Sequence, residues 1–249
     1  NSKIKNVDNF ANVLEELYCG WECGIDQSGI SELKRLKILD CSGNSKIKNV
    51  DHFTNMLEEL DCSWECGIDQ NGISQLQHLK VLKCSGNEKI RDVNNFFETL
   101  EELNCNHNCG INQNGISLLK KLRILRCNMN EKIDRVDFLS NTLEELDCCF
   151  CSRIDQSSII KLGKLKKLKC TYNGGINDIS HLAEKLEELH CGGHSGIDQS
   201  SLFSLKKIKK LYCDGNSGIH DVNHLKDTLE ILDCSEECGI NQCGISNLT

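Results

Sequence analysis

Soft, nucleophilic side chains recur along this chain at a fixed interval. Of 18 cysteines, eleven form one series: Cys19, Cys41, Cys62, Cys84, Cys105, Cys127, Cys148, Cys170, Cys191, Cys213 and Cys234. Their spacing alternates between 22 and 21 residues, so the repeating unit is a 43-residue pair of unlike halves. A second series follows the first in alternate copies: Cys23, Cys66, Cys109 and Cys238 lie four residues after a ladder cysteine. Two copies carry Ser152 and Ser195 there and place Cys151 and His194 one residue earlier. Exchange of Cys for a nearby Cys or His makes little sense for volume and good sense for metal coordination.

The spacing bears on which metal. Neighbouring ladder thiols on paired strands stand ~4.8 Å apart. Two metal–thiolate bonds of about 2.3 Å in line span nearly that distance, which favours linear or trigonal coordination of Cu(I) over tetrahedral zinc. The site expected on this basis joins Cys62, Cys66 and either Cys41 or Cys84, repeated up to six times. Zinc ranks second, and an iron–sulfur cluster, which normally takes four thiolates, third. The competing account is packing: free Cys behaves as a small hydrophobe, and duplication carries it along. Cys149 and Cys243 fit neither series and read as stray thiols.

Each ladder cysteine closes one phrase, such as Leu57 to Asp69 (LEELDCSWECGID) or Leu36 to Lys48 (LKILDCSGNSKIK). Both follow L-x-x-L-x-C-x-x-x-x-x-I. This resembles the leucine-rich repeat family, with cysteine in place of the third core leucine, over the whole chain. The half with the GN phrase keeps the family's asparagine at Asn44, Asn87, Asn130, Asn173 and Asn216. The resemblance implies that these amides bond to loop backbone of neighbouring turns.

The expected fold is therefore an α/β repeat: a right-handed leucine-rich repeat solenoid with one parallel sheet of about eleven strands. Short helical or irregular returns run on the convex side. Alternation along L-x-L-x-C puts Leu60 and Cys62 on one face and Glu59 and Asp61 on the other. Asp51 reads as a helix N-cap, and the recurrent Gly29, Gly72 and Gly115 as marks of a tight turn. Asn1 aligns with Asn44, so residues 1–249 read as one solenoid, a section of a longer or uncapped array.

Family resemblance also implies a protein partner on the open sheet face. There Glu102 and Asn104 are followed by Ile124 and Arg126, Glu145 and Asp147, Lys167 and Lys169, then Glu188 and His190, a pattern of self-neutralising charge. Only Tyr18 and Tyr212 add rings to it. A second stripe, Trp21, Trp64, His107 and Phe150, alternates with Gly43, Gly86, Met129 and Tyr172. It reads as a packed edge, a docking ridge, or a screen over metal sites.

Net charge is −8, which argues against nucleic-acid or anionic-membrane binding. No apolar stretch is long enough for a transmembrane helix. The polar start NSKIKNVDNF is not a signal peptide. The odd ladder favours reduced thiols and a reducing intracellular compartment, the cytoplasm. Catalytic signatures such as H-E-x-x-H or G-x-S-x-G are missing, so the chain reads as no enzyme. The leading expectation is soft-metal binding, Cu(I) first, for storage, buffering or detoxification. The alternative is a non-catalytic protein–protein interaction scaffold whose cysteines only pack the core.

Overall fold

A computed structural model describes residues 1–151 and 153–248. Its chain divides into two compact units, Asn1–Leu122 and Arg123–Thr249. The first holds strands β1 (Glu16–Tyr18), β2 (Ile38–Asp40), β3 (Glu59–Asp61), β4 (Val81–Lys83) and β5 (Glu102–Asn104). They pair in parallel and in chain order, with Leu17, Leu39, Leu60, Leu82 and Leu103 in register. The second holds β6 (Ile124–Arg126), β7 (Glu145–Asp147), β8 (Lys167–Lys169), β9 (Glu188–His190), β10 (Lys210–Tyr212) and β11 (Ile231–Asp233). These too run parallel in chain order, with Leu125, Leu146, Leu168, Leu189, Leu211 and Leu232 aligned. Each unit is thus a stack of 21- and 22-residue turns.

Strands of three residues cannot stand alone; the turn above and the turn below supply both hydrogen bonds and cover. The middle leucine of each strand from β2 to β10 is fully buried. A second apolar layer comes from the returns, where Ile47, Val50, Phe53 and Leu57 are sealed in the second turn and Ile90, Val93, Phe96 and Leu100 in the fourth. Each such side chain contributes about 1.5–3 kcal/mol relative to exposure.

Returns are single 3-10 turns such as Ser28–Ile30, Asp51–Phe53 and Asn71–Ile73. Two short helices, α1 (Gln156–Ile159) and α2 (Gln199–Phe203), take their place in the second unit. Asp51 does not cap its turn, correcting the expectation. It is the first residue of the 3-10 turn, and its backbone N–H donates to the side-chain oxygen of Asn49 at 2.8 Å. The two α-helices do have side-chain caps, Asp155 and Asp198, which accept from the N–H groups of Ser158 and Ser201 at 3.2 and 3.1 Å. The recurrent glycines sit in tight 3-10 turns, as expected, and have a further reason to be glycine. Gly29, Gly72 and Gly115 have no left-handed backbone; a Cβ at each would run into the carbonyl oxygen of Lys5, Lys48 or Arg91 in the turn before. They permit backbone contact between turns.

The asparagines do what the resemblance implies. Asn87 is buried; its amide N–H group donates to the carbonyls of Cys62 at 2.8 Å and Ile68 at 3.1 Å. Its oxygen accepts from the N–H of Lys89 at 3.0 Å. Asn44 and Asn216 repeat the arrangement. A second amide ladder escapes the sequence reading. Gln70 accepts from the N–H groups of Arg91 and Asp92 and donates to the Asp92 carbonyl. Gln27, Gln156 and Gln199 do the same, each to the following turn. Among the described residues, no helix is long and apolar enough to cross a membrane.

Removing one asparagine amide strands two carbonyls and one N–H. At about 1–3 kcal/mol for each buried unsatisfied group, partly relieved by relaxation, Asn87→Ala should lower stability by about 3 kcal/mol. Asn87→Asp should not restore it, because a carboxylate meets two carbonyl oxygens. Urea unfolding followed by circular dichroism measures both; an unshifted midpoint would overturn the assignment.

Candidate binding surface and thiol ladder

The ladder cysteines follow directly after each strand, where the chain leaves the sheet. Cys19, Cys41, Cys62, Cys84 and Cys105 are buried in the first unit; Cys127, Cys148, Cys170, Cys191 and Cys213 are buried in the second, and Cys234 is half-buried. Several thiols donate to the carbonyl just before the next ladder cysteine: Cys41 to Asp61 at 3.4 Å, Cys127 to Asp147 at 3.4 Å, Cys148 to Lys169 at 3.5 Å and Cys170 to His190 at 3.4 Å. The same carbonyls accept the backbone N–H of the donating residue. Leucine would fill more volume, but only cysteine offers an S–H to the second lone pair there.

Burial pushes the thiols of Cys62, Cys148, Cys170 and Cys191 well above their ordinary range, and that of Cys19 up to about 12. They are held as neutral S–H groups. The second series behaves differently. Cys66 lies 3.6 Å from Cys41, sulfur to sulfur, Cys109 lies 3.5 Å from Cys84, and Cys238 lies 3.7 Å from Cys213. Contact with the Cys41 thiol, together with the Ile68 N–H and the Lys89 ammonium, draws the Cys66 thiol below its usual value.

Of the donors expected together, Cys66 meets Cys41, one of the two ladder neighbours named for the site, and no third donor among the described residues completes a metal-holding group with them. Nor do the two variant copies supply matching ligands. The Cys151 thiol donates to the Asn130 carbonyl at 3.4 Å. His194 is exposed, with its ring edge toward Tyr172, and the Ser195 hydroxyl donates to the Cys191 carbonyl at 2.7 Å. Ser152 lies outside the described residues. Cys23 is buried. Among the described residues, no group of three or more His, Cys, Asp or Glu stands where it could hold a metal ion. Of the two stray thiols, Cys149 is buried and Cys243 exposed.

The open strand face carries paired charge, as its sequence suggests. Lys83 meets Glu59 at 2.6 Å, Arg126 meets Glu145 at 3.1 Å, and Lys167 meets Glu188 at 3.0 Å. The His190 ring N–H donates to the Glu188 carboxylate at 2.8 Å, and the ring stacks on Tyr212, centroids 4.1 Å apart. Pairs of this kind on a half-exposed face are worth about 0–1 kcal/mol each.

Beside that face, two residues beyond the ladder, runs the aromatic stripe. Trp21, Trp64, His107, Met129, Phe150, Tyr172 and Glu236 all have φ between 52° and 62°. That left-handed conformation costs an L-residue roughly 1–2 kcal/mol. The equivalent positions Gly43, Gly86, Gly193 and Gly215 share it without cost. Large rings lie over the following glycine: a Cβ at Gly86 would sit 2.7 Å from Cε3 of Trp64, and one at Gly193 would sit 2.6 Å from Cε1 of Tyr172. Trp64 reaches on to His107, centroids 5.3 Å apart, and Phe150 stacks on Tyr172 at 4.8 Å. Yet Trp21 remains 64% exposed, Trp64 43%, Phe150 45% and Tyr172 45%. Glu22, Glu65, Glu88 and Glu131 flank the stripe and are exposed. Trp64, Gly86 and His107 with Glu65, Glu88 and Asn108 line an open hollow.

Two measurements follow. Glu236→Gly should raise stability by about 1 kcal/mol by relieving left-handed backbone, while Gly86→Ala should lower it and disturb Trp64 fluorescence. Equal effects of the two changes would refute the role given to φ. For pH the sign is set by thiols whose folded values exceed the ordinary 9.0. The unfolded chain loses those protons first, so their contribution is complete below about pH 8.5 and drains away as pH rises toward the folded values. The urea midpoint of reduced, oxygen-free protein should fall between pH 8 and pH 10; a flat profile would contradict buried neutral thiols.

No protein-family model matches the chain, and no curated protein matches it significantly. Solved structures do. An internalin (inlF) from Listeria monocytogenes superposes with TM-score 0.62 at 19% identity, covering 98% of this chain and 87% of that one. A chain of the yeast complex of Rad7 and Elc1 gives 0.59 at 19% identity over 88% of this chain and 74% of its own. The functional domain of InlJ from Listeria monocytogenes, described as including a cysteine ladder, gives 0.58 at 20% identity over 93% and 60%. Strand register, asparagine ladder and these neighbours agree that the chain has the leucine-rich repeat fold, in a form with a cysteine ladder.

Proposed function

We propose that the protein is a non-catalytic protein-binding scaffold, and that it docks a basic segment of its partner on the aromatic stripe. The carrying observation is the set of large rings held exposed in left-handed backbone where glycine serves equally well for folding. Strain retained without burial marks a surface kept for contact. Trp64 and His107 offer ring faces to Lys or Arg, and Glu65 and Glu88 offer carboxylates beside them. Nearby Lys46 and Lys89 do not oppose this, since their ammonium groups are turned to the carbonyls of Cys23 and Cys66. The solved complex of Rad7 and Elc1, whose fold is similar, lends support to a protein partner.

In this reading the cysteines pack the core and complete backbone hydrogen bonds. Capture of Cu(I), zinc or an iron–sulfur cluster asks for converging thiolates. Ladder thiols held neutral, and second-series thiols meeting them only in twos, favour the scaffold instead.

A peptide array graded in Arg and Lys content tests the proposal, probed with labelled full-length protein. Binding should rise with basic content, weaken with added salt, and fall at least tenfold for Trp64→Ala. Binding that ignores basic content, or that survives Trp64→Ala unchanged, would overturn it.

A further inference from the structure

We propose that Cys41–Cys66, Cys84–Cys109 and Cys213–Cys238 are oxidation sites, each converted by a peroxide into a disulfide that ties one turn to the next. Sulfur–sulfur separations are 3.6, 3.5 and 3.7 Å, contact distance with no atom between. All three pairs are 25 residues apart and join the same two positions of the repeat. Cys148 and Cys170 donate to backbone carbonyls, and Cys151 does likewise. At the position that would face Cys170 the chain has Ser195, whose hydroxyl is bonded to the Cys191 carbonyl. So ladder position alone does not create a pair; the second-series cysteine does.

Within the first pair the two sulfurs are unlike. Cys66 touches the Cys41 thiol and lies near the Lys89 ammonium, which draw its thiol below the usual value, so it is the better thiolate and the attacking group. Its sulfur attacks one peroxide oxygen, the O–O bond breaks, and the departing hydroxide takes a proton and leaves as water. The resulting Cys66 sulfenic acid is then attacked by the Cys41 sulfur. The S–O bond breaks, the hydroxide takes the Cys41 proton, and a second water leaves. Two thiols and one hydrogen peroxide give one disulfide and two waters, with two electrons passing from sulfur to oxygen.

Closing a loop of this length restricts the unfolded chain, so oxidation stabilises the stack. Access sets the order. Cys41, Cys66, Cys84 and Cys109 are buried, whereas Cys238 is half-buried. Cys213–Cys238 therefore closes first, and the two pairs of the first unit follow as their turns open.

The test uses full-length Cys243→Ser, which removes the exposed thiol that would otherwise link molecules. Reduced protein is treated with hydrogen peroxide, quenched with an alkylating agent at intervals, and mapped by non-reducing peptide mass spectrometry. Expected are the three named linkages in the stated order, with a thermal midpoint that rises on oxidation and returns with dithiothreitol. Cys66→Ser, which places at this position the residue found at Ser195, should lose its own linkage only and leave Cys41 alkylatable. Linkage between ladder neighbours such as Cys41 and Cys62, sulfinic acid at Cys66 without a disulfide, or thiols that stay fully alkylatable would each overturn the proposal.

Discussion

Everything in each unit depends on the distance between successive turns. Parallel strands fix it at ~4.8 Å, and every residue then stands beside its counterpart one turn away. Side chains that could not tolerate a copy of themselves at that distance are excluded; those that bond to one are favoured. Leucine meets leucine, an amide reaches the next backbone, and a thiol reaches the next carbonyl. Gly72 shows the limit of the same constraint: the returns come so close that even a Cβ would strike the Lys48 carbonyl. Sheet, core and ladders are therefore consequences of one repeat distance.

Periodicity made much of this readable from sequence. The interval of 21 and 22 residues, the leucine alternation and the five asparagines each point to stacked turns, and the structure realises them as in-register strands and buried amides. What failed depended on which turn a side chain faces. Asp51 resembles a cap by type and position, but the hydrogen bond goes to Asn49, because a short polar side chain two residues before a 3-10 turn closes it more compactly. Cys66 meets Cys41 in the turn before, one of the two ladder neighbours its spacing allows, and the sequence held no means to choose Cys41 over Cys84. Rhythm along the chain gives no vector across it. The glutamine ladder was open to discovery, since Gln27, Gln70, Gln156 and Gln199 keep the 43-residue register; polar residues in a return draw less notice than cysteines.

The stripe of rings presents a different balance. Backbone geometry two residues after each ladder cysteine is left-handed whatever occupies it, so glycine is the residue that folding alone selects. Where Trp or Tyr stands there, a ring covers the adjoining glycine, and where Phe150 stands it stacks on Tyr172; contact recovers part of the cost, yet nearly half or more of each ring's residue still faces water. Paired charges neutralise the neighbouring strand face. The two surfaces are therefore unequal: one is electrically closed on itself, the other is apolar, rimmed with carboxylates and unspent.

Unlike halves also limit how such an array can change length. Trp64 covers a glycine in the following half, Cys66 meets a thiol in the preceding half, and Gln70 bonds to the half that follows. Loss of a single 21- or 22-residue turn would set like halves side by side and break junctions such as Trp64 over Gly86 and Gln70 on the Asp92 backbone. Gain or loss of the whole 43-residue pair leaves every junction as it was. Growth and contraction by unequal recombination are thus least disruptive in double steps, and the alternation of intervals is the trace such a preference would leave.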